Sequence, residues 1–159
     1  MKLGILTSIF GNYNFEQVLD MTSEFGLECM EVACWPPGEG ERRYAGVCHI
    51  DCENFTDEEA HTIINKCEEK KIFISALGFY ANLMDENLEK RKENIQHFMK
   101  VIDVSAKLNI NMVTGFLGRM QHKTLEENLK AVKEIWTPII HYAESKKVRI
   151  AIENCPMLF

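Results

Sequence analysis

The stretch Ile150-Ala-Ile-Glu-Asn-Cys-Pro-Met157 completes an apolar run that begins at Val148 and stops on a carboxylate, Glu153. A short run that is apolar on both faces reads as a buried strand, here Val148 to Glu153. A carboxylate ending such a strand is costly unless it is paired or bound to a cation. Glu153 is therefore either a site residue or a rim glutamate paired with a lysine or with backbone amides.

Upstream, the same kind of run recurs four times, over Leu3 to Phe10, Cys29 to Trp35, Ile72 to Phe79 and Met112 to Leu117. Helical patterns lie between the strands. Asn14 to Phe25 opens on a capping asparagine with Gln17 three residues on and stops at Gly26. Thr56-Asp-Glu-Glu59 is a capping box followed by an apolar stripe at Ala60, Ile63, Ile64 and Cys67. The third helix sets Ile95, Phe98, Met99, Ile102 and Ala106 on one face. A second box, Thr124-Leu-Glu-Glu127, starts the fourth, whose expected buried stripe is Leu125, Leu129, Val132, Trp136, Ile139 and Ala143. Amphipathic helices alternating with two-sided apolar strands predict an α/β fold with a parallel sheet and right-handed crossovers. The one long connection, Pro36 to Phe55, holds the Cys48-His-Ile-Asp-Cys52 cluster, and long loops inside compact domains tend to be functional or mobile. Five units fit either a doubly wound sheet or part of an eight-unit barrel. The turn after the first strand, Ser8-Ile-Phe-Gly-Asn-Tyr13, lacks the phosphate-cradling glycines of the former, and pattern alone leaves both open.

Composition narrows the function. The chain has 159 residues, 46% of them apolar, enough for a core in one domain spanning 1–159. Acidic residues number 24 against 18 basic, a net charge of −6, and the basic doublets Arg42-Arg43, Lys70-Lys71 and Lys146-Lys147 are scattered. No basic stripe offers itself to a phosphate backbone, so no nucleic-acid partner is expected. No run of eighteen apolar residues suggests a membrane span. The opening MKLGILTSIFGNYNF reads as a strand and not as a signal peptide. The six cysteines read as reduced thiols in a cytoplasmic protein, and their cluster lacks the CxxC spacing of a zinc site.

Several short motifs, all in order along the chain, carry a resemblance. With Ile150–Met157 they are Cys34-Trp-Pro-Pro37, Cys48-His-Ile-Asp51, Ala76-Leu-Gly-Phe-Tyr80, Gly115-Phe-Leu-Gly-Arg119 and Glu126-Glu-Asn-Leu129. Together they resemble the xylose-isomerase-like TIM-barrel superfamily, and within it the sugar phosphate isomerase/epimerase members. The resemblance implies an incomplete parallel (β/α) barrel, strands one to five of eight, with a site at the strand C-termini in a barrel of about 250 residues. It also implies one divalent metal (Mn²⁺, Mg²⁺ or Co²⁺) held by carboxylates and a histidine from strands five to eight. Of these ligands, Glu153 alone falls within this chain, where the resemblance makes it both metal ligand and proton-transferring base.

The implied reaction is isomerisation or epimerisation of a small sugar, sugar phosphate or polyol through an enediolate. With strands six to eight absent, this chain by itself is expected to lack turnover and to bind little or no metal. The alternative is a non-catalytic half-barrel or fragment that folds or associates without turnover. Exposed sheet edges would make it a homo-oligomer if it is stable as given. Candidate substrate contacts are His49, Trp35, Tyr80 and Arg119. For each a bland alternative stands beside the site role: loop packing for His49, core packing for the aromatics, and solvation for Arg119 and His122. His61, His97 and His141 fall in helices and read as structural or surface. A third possibility, an endonuclease IV-like repair enzyme, is disfavoured by the acidic balance and by Leu117 where a strand-four histidine would be aligned.

Overall fold

A computed structural model of the chain describes residues 1–38 and 44–153. Residues 154–157, the end of the deciding motif, therefore lie outside the described residues, as do 39–43 in the long connection. The strands are β1 (Gly4–Leu6), β2 (Cys29–Ala33), β3 (Phe73–Gly78), β4 (Met112–Phe116) and β5 (Arg149–Glu153). The helices are α1 (Phe15–Glu24), α2 (Asp57–Lys70), α3 (Leu88–Lys107) and α4 (Leu125–Ser145). All neighbouring strands pair in parallel, in the order β1-β2-β3-β4-β5. A doubly wound sheet reverses its strand order at a switch point. This sheet never reverses, so right-handed crossovers place every helix on the same side. The architecture is that of a partial TIM barrel.

Local chemistry explains the helix starts. Asn14, Thr56 and Thr124 each accept a backbone N–H from the third helical residue, while Gln17, Glu59 and Glu127 reach back to the cap's own N–H. Each reciprocal pair satisfies two orphan donors and contributes about 1 kcal/mol. On the helix side of the sheet, Val32, Leu77 and Val113 form a fully buried row across β2, β3 and β4. Phe98, Val101 and Ile102 of α3 and Ile139 of α4 are buried to the same degree. The Phe98 ring lies 6.5 Å from Phe79 and 5.9 Å from Trp136, centroid to centroid. Gly115 allows this approach: a Cβ there would sit 2.7 Å from the Phe79 carbonyl oxygen and 3.2 Å from the Phe98 ring. Among the described residues no helix is long and apolar enough to cross a membrane.

Two expectations need correction. The first strand is not continuous from Leu3 to Phe10, because after Leu6 the chain turns into a 3₁₀ helix, Thr7–Phe10. Thr7 takes the reason with it: its hydroxyl accepts the Ala33 N–H at 2.9 Å, which draws the backbone out of the β1 direction. In α4, Leu125 and Leu129 are about half exposed, whereas Asn128 is fully buried. The Asn128 carboxamide accepts from Met120 N–H at 2.9 Å and donates to the carbonyls of Met120, Lys123 and Thr124. Satisfying that loop turns the polar residue inward and the two leucines out.

Candidate functional site

Parallel pairing puts partner side chains on the same side of a sheet. Opposite the helices, one series of pairs joins Leu6, Glu31 and Ala76, and another joins Ala33, Gly78, Thr114 and Ala151. Phe116 pairs with Glu153, which carries the series to the ends of β4 and β5. A β-bulge at Met30/Glu31 shifts the β2–β3 register by one residue, so that Glu31 faces Ala76. Toward the strand C-termini this inner side carries the small residues Ala33, Gly78, Thr114 and Ala151 beside Leu6, Glu31, Phe116 and Glu153, which leaves room beneath the strand ends.

A cavity of about 170 Å³ opens there, lined by Leu6, Ser8, Trp35, Tyr44, Ala45, Tyr80, Phe116 and Glu153. Three residues expected at a site from sequence (Trp35, Tyr80 and Glu153) therefore share one cavity. Tyr80 packs its ring against Phe116 at 4.9 Å, and Trp35 meets Phe79 edge-on at 4.9 Å. Neither aromatic lies in its strand: each stands two residues past the last strand position, at the mouth.

The other two candidates sit apart from that cavity. His49 is buried, with Nδ1 2.9 Å from Thr7 Oγ1 and Nε2 3.3 Å from the Phe10 carbonyl. A carbonyl only accepts, so Nε2 carries the proton and Nδ1 accepts from the Thr7 hydroxyl; the ring is neutral and ties the long loop to the first turn. It lines a separate recess with Asn14, Phe15, Cys48 and Thr56. Arg119 has its backbone N–H and carbonyl each 2.8 Å from the Asn82 carboxamide, which fixes the loop after β4 to the loop after β3. Its neighbour His122 is exposed and bonds Glu86 at 2.6 Å. His97 is structural: buried, it donates Nε2–H to the Cys34 carbonyl at 2.7 Å and packs edge-on to Phe79.

Burial holds the His49 pKa below the usual histidine value, partly offset by its bond to the Phe10 carbonyl. A histidine that stays neutral in the fold destabilises it once the unfolded chain can take up the proton. Stability should therefore be unaffected above about pH 6.5 and should fall as the pH drops below it. Urea melts between about pH 6.5 and 5 should lose up to one proton's worth of slope in His49→Gln. An unchanged slope would mean that His49 already titrates in the folded protein.

Sequence reading passed over Glu31. It lies mid-strand between Met30 and Val32, both fully buried, on the inner side of the sheet. Thr114 Oγ1 donates to its Oε1 at 2.7 Å, and Tyr80 Oη donates to the same oxygen. The signal was available: a carboxylate inside an apolar strand is as costly as one at its end.

As for a metal, no group of three or more His, Cys, Asp or Glu side chains that could hold one occurs among the described residues. A hard divalent cation takes about six oxygen ligands, and Glu153 is the single carboxylate lining the cavity. The described residues thus do not build a metal centre by themselves. Cys34, Cys48 and Cys52 are free thiols, and burial pushes the Cys48 thiol up to about 12.

The sequence profile of the xylose isomerase-like TIM barrel family matches residues 19–159. The chain belongs to this family. No curated protein sequence matches it significantly. Solved structures with the same fold include a D-psicose 3-epimerase in the presence of D-fructose, at 18% identity and a TM-score of 0.69, with 96% of this chain and 52% of that one covered. A second is D-psicose 3-epimerase with D-tagatose from Clostridium cellulolyticum H10, at 14% identity and 0.68, covering 96% and 52%. A third is the IolI protein with a bound zinc atom, at 16% identity and 0.68, covering 96% and 51%. At these identities the likeness carries the fold alone. The chain spans about half the length of these solved chains.

Proposed function

We propose that the cavity at the strand ends is one wall of a small-sugar site, and that Glu153 is its proton-transferring carboxylate. What carries this reading is the meeting of Glu153 with Trp35 and Tyr80 in one cavity, in a chain of this family. The aromatic faces would cover the apolar face of a sugar, as such pockets commonly do. Glu153 takes the proton from a carbon next to the sugar's carbonyl; the C–H electron pair becomes the carbon–carbon double bond and the carbonyl oxygen becomes the enediolate oxyanion. Return of a proton to the other face gives an epimer, and to the neighbouring carbon an isomer. The fold relatives solved with D-fructose and D-tagatose support a ketose as first probe. Conversion of either ketose by the product of the whole reading frame, followed by NMR, tests the reading; no new sugar from these or from the common aldoses would sink it.

This reading calls for a divalent cation, Mn²⁺, Mg²⁺ or Co²⁺, with Glu153 as one ligand and the others from family strands not contained in these 159 residues. On this proposal the 159-residue chain alone has no turnover. Calorimetry with Mn²⁺ should then show no stoichiometric site of about micromolar affinity, because one carboxylate supplies about a sixth of the usual ligands. A tight site on the chain alone would refute this. The open sheet also has β1 and β5 as edges, with Leu3 and Ile152 exposed, and such edges favour pairing with a second copy. Light scattering on the chain should give a mass near twice 18.4 kDa; a monodisperse monomer would contradict this.

A further inference from the structure

Glu31 holds two hydroxyl protons, one of them from Tyr80 in the cavity wall. Its Oε1 receives the Thr114 hydroxyl at 2.7 Å and the Tyr80 phenol, drawing β2, β4 and the end of β3 together on one carboxylate oxygen. Gly78 is what lets them converge. A Cβ at that position would stand 2.8 Å from Glu31 Oε1, 2.9 Å from the Tyr80 ring and 3.2 Å from Thr114 Oγ1. Since an ionised carboxylate only accepts, the Tyr80 proton points at Glu31, and any ligand atom that reaches the phenol oxygen meets lone pairs. The described residues that line the cavity include no lysine or arginine. An acceptor oxygen backed by the Glu31 carboxylate favours donors over anions.

We propose that Glu31 is the positioning residue of this cavity: by taking the Tyr80 proton it fixes the phenol oxygen as an acceptor, so that this wall selects a neutral, hydroxyl-bearing end of a ligand over a phosphate-bearing one. The ligand's class rests on the sugar-site reading above; the position of the proton does not. Burial first, and then the bond to Glu31, push the Tyr80 phenol above its ordinary pKa, against a smaller opposing pull from Thr114. That is the direction a committed proton requires.

Carbon-13 labelling of tyrosine Cζ, with Tyr80→Phe for assignment, reads the proton directly. At about pH 10, where an ordinary tyrosine is half ionised, the Tyr80 signal should remain at its protonated position. Glu31→Gln removes the charge and should lower the Tyr80 midpoint by about one unit or more. If that variant does not fold, Glu31→Asp draws the carboxylate back by one methylene and should lower it by about half a unit. Half-ionisation of wild-type Tyr80 near pH 10, or a midpoint that ignores the change at Glu31, overturns the proposal. In the same samples D-fructose or D-tagatose should shift the Tyr80 signal at concentrations about tenfold below those needed with D-fructose 6-phosphate. In Glu31→Gln that preference should shrink to within about threefold. Equal binding of the phosphate ester by the wild type overturns the selectivity. If neither free sugar moves the signal, the sugar-site reading fails, and the titration still decides where the proton lies.

Discussion

Truncating Phe98 to alanine should cost about 3–5 kcal/mol, a large share of the about 5–15 kcal/mol that holds a domain together. The side chain is fully buried and touches both layers: Phe79 from the end of β3 and Trp136 from α4. Removing it takes away the burial of an aromatic ring and leaves a void that cannot collapse. On the β4 side, the Gly115 backbone already stands in close contact with the Phe79 carbonyl. Leu125→Ala on α4 is the control, since Leu125 is about half exposed and should change stability by less than about 0.5 kcal/mol. Urea unfolding of the two variants measures the difference. A loss below about 1 kcal/mol at Phe98 would mean that α3 does not anchor the helix layer as described.

Replacing Glu153 by glutamine should lower kcat of the product of the whole reading frame by about 10²–10⁴. The exchange keeps the shape of the side chain and removes its ability to take a proton. Glu153 is exposed at the end of β5, so the fold should tolerate it, and an unchanged melting temperature separates lost chemistry from lost structure. Trp35→Ala should behave differently and raise KM more than it lowers kcat, because it removes a wall and not a base. If Glu153→Gln retained more than about a tenth of wild-type kcat, the base would have to be another residue.

The sequence revealed most where local chemistry acts alone. The capping boxes at Thr56 and Thr124 stand where their spacing put them, and the ends of β2 to β5 fall within two residues of the apolar runs. It revealed least where a residue's partner is far away in the chain. Thr7 leaves the β1 direction because of Ala33 and His49, 26 and 42 residues on. Helical periodicity in α4 marks an apolar face but does not say which flank turns inward, and that is set by Asn128 and the loop it satisfies. Strand ends with aromatic or acidic residues pointed to Trp35, Tyr80 and Glu153, which line one cavity because the C-terminal ends of parallel strands share one rim. His49, a loop residue, lines a different recess, and its ring nitrogens are both engaged inside the protein. Glu31 was hidden by reading β2 as apolar on both faces, when its inner side carries a carboxylate that takes the Thr114 and Tyr80 hydroxyls.

Hydrogen exchange on carbon tests the central claim most directly. D-fructose or D-tagatose is incubated in deuterated buffer with the product of the whole reading frame and Mn²⁺, and proton NMR follows the C–H bonds beside the carbonyl. The account predicts that deuterium enters there along with formation of the new sugar, and that Glu153→Gln slows both by about 10² or more. Turnover with no deuterium incorporated, or exchange that survives Glu153→Gln at the wild-type rate, would contradict it.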